Sequence, residues 1–201
     1  MALANYTDLV ASIASWMNRS DLASVIPDFI RIAESRMDDQ IRIRQGIVSA
    51  TLTATPGVQE VALPSDWLEF KELNIDGLPL ELSTADVIRE NSKRIGSRIW
   101  KYAIEGDVIL LSPTPGTTPV QIAIKYYAKI PPLQTSITNW MLTKNPNIYL
   151  YGSLVSGYQY LLNDERANYW GLLYTQAVRL ADANDKRAIS SGSPLTIRVR
   201  K

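Results

Sequence analysis

Two carboxylates carry the clearest chemical possibility in this sequence. Glu34 and Asp38 stand four residues apart in a stretch of helical periodicity, with Asp39 alongside. That spacing puts both on one helix face, where an acid/base pair or two metal ligands would have to be. The same spacing also suits a solvated helix face, with Arg31 and Arg42 close enough to pair with them. Asp164 and Glu165 open a later helical stretch, where negative charge complements the helix dipole, so they read as helix-start residues. Nothing else is ligand-like. The chain has no cysteine and no histidine, which excludes disulfides, thiol catalysis, thiolate metal sites and every triad or metal site built on imidazole. A glycosidase working with carboxylates alone passes this test. No phosphate-cradling loop occurs, because Gly57, Gly77, Gly106 and Gly116 all fall at turns. No catalytic, cofactor-binding or metal-binding residue is therefore assigned, and no cofactor is expected.

Two further groups of residues point to contact rather than to chemistry. Tyr149, Tyr151, Tyr158, Tyr160, Tyr169, Trp170 and Tyr174 crowd into one short stretch. Base or sugar stacking would need an adjoining basic groove, and the lysines and arginines are scattered. With 21 Lys+Arg against 20 Asp+Glu the formal charge is +1, which lacks the basic excess of a dedicated nucleic-acid binder. Packing, including packing between subunits, accounts for the crowding with fewer assumptions. Tyr149, Tyr151, Tyr158, Tyr160, Tyr169 and Trp170 are the residues expected to provide it. Leu195, Ile197 and Val199 alternate with Thr196, Arg198 and Arg200, and Lys201 follows. This is a strand pattern with no second strand to close a hairpin. Leu195, Ile197, Arg198, Val199, Arg200 and Lys201 are expected to dock on a partner by strand addition.

The elements that must position these groups follow from periodicity. The 201 residues are 46% hydrophobic and 20% charged, enough to bury a core and unlike a disordered chain. Tyr6 to Met17 reads as a helix capped by Asn5. A second helix starts near Pro27 and is expected to reach about Arg44. Strand patterns then cover Ile47 to Thr53, Val58 to Leu63 and Leu68 to Ile75, with Pro64 to Trp67 expected as a helical turn. Asp76-Gly77 predicts a hairpin, and Ser83 or Thr84 a cap for a short helix. Further strands are expected at Arg98 to Ile104, Val108 to Leu111 and Val120 to Tyr127. Pro146 starts a helix that is apolar nearly all round to Leu162, and another runs from about Glu165 to Ala188. The expected fold is α+β. Residues 1–46 and 139–190 would form a helical bundle, 47–138 an inserted β-rich domain, and 191–201 an extended docking tail. No apolar run reaches the roughly 20 residues that span a bilayer, and the start lacks the basic region of a signal peptide, so a soluble protein made in a cytoplasm is expected.

Several stretches resemble the head-to-tail adaptor (connector) proteins of tailed bacteriophages. They include Trp16-Met17-Asn18-Arg19, Ile26-Pro27-Asp28-Phe29-Ile30 and Ala33-Glu34-Ser35-Arg36 near the start, and Val61-Ala62-Leu63-Pro64-Ser65-Asp66-Trp67-Leu68-Glu69 in the middle. Thr138 to Pro146, Ile148-Tyr149-Leu150-Tyr151-Gly152, Leu161 to Arg166 and Trp170 complete the likeness, which covers nearly the whole chain. The resemblance implies a structural virion protein, not an enzyme. It would be made in the host bacterial cytoplasm and form a dodecameric ring between portal and tail. Its partners would be copies of itself, the portal protein, tail or nozzle proteins, and double-stranded DNA passing without sequence recognition. No membrane is implied. Some adaptors of short-tailed phages have been described as cell-wall hydrolases. The resemblance therefore leaves an alternative, a peptidoglycan-degrading virion enzyme with Glu34 or Glu165 as general acid.

Overall fold

Helical periodicity begins at Tyr6, and α1 (Tyr6–Met17) starts there because the Asn5 side chain, on extended backbone, accepts a 2.9 Å hydrogen bond from the Asp8 N–H. Asn18 ends it in the left-handed conformation at φ +53°, which asparagine tolerates better than most residues. α2 (Ile26–Gln40) carries Pro27 in its first turn. It stops short of the expected Arg44. Ile41 is extended, and both Ile41 and Ile43 enter the core, 8% and 4% exposed. The computed structural model describes residues 3–91, 95–96 and 98–191. The docking strand expected over Leu195, Ile197, Arg198, Val199, Arg200 and Lys201 lies outside the described residues.

A single 3₁₀ turn leads into the strands. In chain order these are β1 (Ile47–Ala54), β2 (Glu60–Ala62), β3 (Trp67–Ile75), β4 (Leu78–Pro79) and β5 (Glu81–Leu82). After the short helix α3 (Ala85–Glu90) come β6 (Ile95–Gly96), β7 (Lys101–Glu105), β8 (Val108–Ser112), β9 (Thr114–Pro115) and β10 (Val120–Ala128). They pair in the orders β1-β10-β3-β4, β2-β8-β7-β5 and β6-β9. β10 shows the expected alternation: Ile122, Ile124 and Tyr126 are buried, and the residues between them face outward. Asp76 and Gly77, at φ +50° and +75°, make the tight turn from β3 to β4. The strand expected over Val58 to Leu63 shrinks to Glu60–Ala62. Pro64 to Trp67 forms a turn closed by a 3.0 Å bond from the Trp67 N–H to the Pro64 carbonyl, and Trp67 already belongs to β3. Thr84 holds the cap position of α3, but its side chain makes no capping bond.

The chain ends its described part in α4 (Trp140–Lys144), α5 (Pro146–Tyr160) and α6 (Asp164–Ile189). The six helices and the sheets make a mixed α+β fold. Two compact units result, one from Met1–Gln45 with Ile130–Lys201 and one from Gly46–Lys129. Residues 130–138, expected with the strands, belong to the helical unit, because Ile130 and Leu133, 5% and 1% exposed, enter its apolar core. Within that unit α5 packs against α1, α2, α4 and α6, which is why its sequence is apolar all round. Gly152 and Gly157 mark its closest approaches. A side chain at Gly152 would meet Ala33 and the Tyr174 ring at 3.2 Å, and one at Gly157 would meet Met17 at 2.8 Å. The second unit has its own core, in which Ala54, Ile109, Leu111 and Ile122 are fully buried.

Candidate functional site

The two carboxylates four apart on α2 do share a face, and that face looks into the protein. Glu34 is 8% exposed. Its Oε1 accepts from the Leu133 N–H at 2.9 Å and from the Tyr149 hydroxyl at 3.2 Å. One turn on, Asp38 Oδ1 accepts from the Ile130 N–H at 2.8 Å. Asn139 completes the group from the other end of the same segment. Its amide donates to the Pro131 carbonyl at 2.8 Å and to the Tyr149 hydroxyl at 2.7 Å, while its own oxygen caps α4 by accepting from the Leu142 N–H at 2.8 Å. Residues 130–139 lack regular structure, so their backbone groups need partners from elsewhere. Glu34, Asp38 and Asn139 supply them, and the Tyr149 hydroxyl links Asn139 to Glu34. The chain from Asn139 through the Tyr149 hydroxyl to Glu34 runs donor to acceptor throughout.

The electrostatics agree with a structural task. Burial raises the Glu34 carboxyl above its ordinary range, against the lowering effect of the two bonds it accepts from Leu133 and Tyr149. Burial, followed by the nearby Glu34 charge, pushes the Tyr149 hydroxyl up as well, so it stays protonated and keeps donating. A raised carboxyl can resemble a tuned general acid. Here one carboxyl oxygen, Oε1, already accepts from the Leu133 N–H and the Tyr149 hydroxyl. Asp164 and Glu165 lie exposed in the first turn of α6, as expected for residues that favour the helix dipole. The capping bond itself comes from Asn163, whose side chain accepts from the Arg166 N–H at 3.1 Å.

The aromatic stretch divides. Tyr149 and Tyr158, 0% and 4% exposed, are buried by their own chain, which corrects the expectation that they pack against a neighbouring subunit. The reason is the central place of α5, whose whole middle is covered by helices of the same unit. Tyr160 and Tyr169 are each 57% exposed. Tyr151 and Trp170 are partly buried and stack at 5.7 Å, and Trp16 adds a ring 5.4 Å from Trp170. Sequence reasoning missed Asp185. It is buried on α6, accepts the Arg44 N–H at 3.1 Å and pairs with the Arg44 guanidinium at 3.1 Å, fixing the chain just past α2. No local pattern links residues so far apart in sequence.

A family model described as SU10 adaptor protein matches residues 4–198. No curated protein matches the chain.

Proposed function

The chain belongs to the SU10 adaptor protein family, a phage head-to-tail adaptor family, and from that premise we propose that it is a structural virion component forming a dodecameric ring that joins portal to tail and lines the DNA exit channel. In this reading residues 1–46 and 139–190 make a helical bundle that builds the ring. Residues 47–138, less the stretch from 130 that packs with the helices, make an inserted β-rich lobe. Leu195 to Lys201 docks on another chain of the assembly. A formal charge of +1 suits a wall that duplex DNA slides past, because a strongly basic wall would hold the phosphates.

The observation that carries the assembly is the outer face of α6. Ala167, Tyr174, Ala177, Ala181 and Asp185 form its buried stripe. On the opposite face Tyr169, Leu172 and Leu180 are 57%, 73% and 59% exposed. A helix that packs one stripe within its own chain and still presents large apolar side chains on the other face fits a helix packed twice, the second time against a neighbour. The test is electron microscopy and native mass spectrometry of the purified protein, alone and with its portal. A ring is expected. Leu172→Glu with Tyr169→Glu should abolish it while the circular dichroism spectrum stays unchanged. Ring formation indifferent to both charges would overturn the reading.

A further inference from the structure

β1 is an edge strand, and it carries none of the devices by which edges are normally protected. Among the described residues no strand pairs with its outer side. Its eight residues, Ile47-Val48-Ser49-Ala50-Thr51-Leu52-Thr53-Ala54, include no charge, proline or glycine. Its pairing with β10 runs in unbroken register from Ile47↔Tyr127 to Ala54↔Val120, with no bulge to turn the edge away. Such an edge is a template for another strand. The layer beneath it is also unfinished. Ile122 and Ile124 of β10 are 0% and 2% exposed, whereas their partners Leu52 and Ala50 are only half-buried and Val48 is 38% exposed.

We propose that this edge receives residues 195–201 of a second copy of the chain. The segment follows α6 by a short Ser190-Ser191-Gly192-Ser193-Pro194 joint and alternates in the manner the edge requires. On a strand added beside β1, Leu195, Ile197 and Val199 extend the apolar layer of Val48, Ala50 and Leu52. Thr196, Arg198 and Arg200 then lie with Ser49, Thr51 and Thr53 on the polar face. Seven residues match the eight that the edge offers. The inference rests on the assembly reading in one respect, that copies meet.

Cysteine cross-linking tests it cleanly, because the natural chain contains no cysteine. Full-length protein carrying Ser49→Cys, Thr51→Cys or Thr53→Cys is mixed with full-length protein carrying Arg198→Cys and oxidised gently. At least one mixture should give the disulfide-linked heterodimer. Hydrogen exchange adds a readout that needs no cysteine. Deleting residues 193–201 should speed exchange of alternate β1 amides by about tenfold or more, without moving those of β10. Absence of the disulfide-linked heterodimer in all three mixtures overturns the proposal. So does β1 exchange that ignores the deletion. A ring seen by microscopy with no such cross-link would sink this inference alone, whereas a protein that never self-associates would sink the assembly reading as well.

Discussion

Replacing Glu34 by alanine takes away the acceptor of two donors that have no access to water, the Leu133 N–H and the Tyr149 hydroxyl. A buried donor left without a partner costs about 1–3 kcal/mol. The Tyr149 hydroxyl keeps its bond from Asn139, so its loss should fall at the low end and that of Leu133 dominate. Removing a desolvated carboxylate offsets part of the penalty. We expect a net loss of about 1–3 kcal/mol, which in urea moves the unfolding midpoint down by about 0.5–1.5 M for a slope near 2 kcal/mol per M. Glu34→Gln keeps an acceptor for Leu133 and should cost less. It also reports the carboxyl's titration. The Glu34 pKa is raised by burial from its ordinary 4.5. Its contribution to stability is therefore fully present below the unfolded value and lost as pH rises through the folded one. Glutamine does not titrate, so the gap between wild type and the Glu34→Gln variant must be widest in acid and narrow towards neutral pH. A gap that widens with pH, or an alanine effect under about 0.5 kcal/mol as at an ordinary surface site, would refute the account of the 130–139 anchor.

Glycines on the two long helices should respond in opposite ways. A side chain at Gly171 meets nothing within 4 Å, so Gly171→Ala should raise stability by about 0.5–1 kcal/mol. Gly152→Ala should lower it by about 1 kcal/mol or more, since the Cβ would press on Ala33 and the Tyr174 ring at 3.2 Å; thermal unfolding distinguishes the two. Tyr126→Phe removes the 2.9 Å bond from the Tyr126 hydroxyl to Asp66 and should cost about 1.5–3 kcal/mol, the range for a bond to a carboxylate. Burial, then Asp66, push that hydroxyl up to about 12. The stability it confers is thus present below its ordinary 10.0 and lost as pH rises through about 12, so the difference from phenylalanine should shrink across that window in alkaline denaturation.

Local signals in the sequence were reliable where the physics is local. The period of two from Val120 to Tyr127, the Asp76-Gly77 turn, the Asn5 cap and Pro27 each name their element, because each depends on a few neighbouring residues. Long-range partners left no such trace. Glu34 and Asp38 are recognisable as a pair on one helix face, but only the folded chain shows that they meet the N–H groups of Leu133 and Ile130. The same holds for residues 130–138, whose lack of period hides a tight polar anchorage. Ile41 misled for a related reason: four residues after Met37 it prolongs a helical pattern, yet it reaches the core from extended backbone. Tyr149 and Tyr158 show that an all-round apolar helix does not say whose chain will cover it.

The register of β1 with β10 bears on the order in which this chain can acquire structure. The helical unit needs segments on both sides of Gly46–Lys129, so α1 and α2 emerge from the ribosome with apolar faces that find their partners only after Ile130 has been made. Joining two such segments across an unstructured loop of that length costs roughly 4 kcal/mol in closure entropy. The strand unit is contiguous and can form first. Once it does, Ile47 lies directly across from Tyr127, so the points where the chain enters and leaves the unit are neighbours in one ladder, about 5 Å apart. The strands can thus serve as a clasp: folded first, they close the loop for the helices.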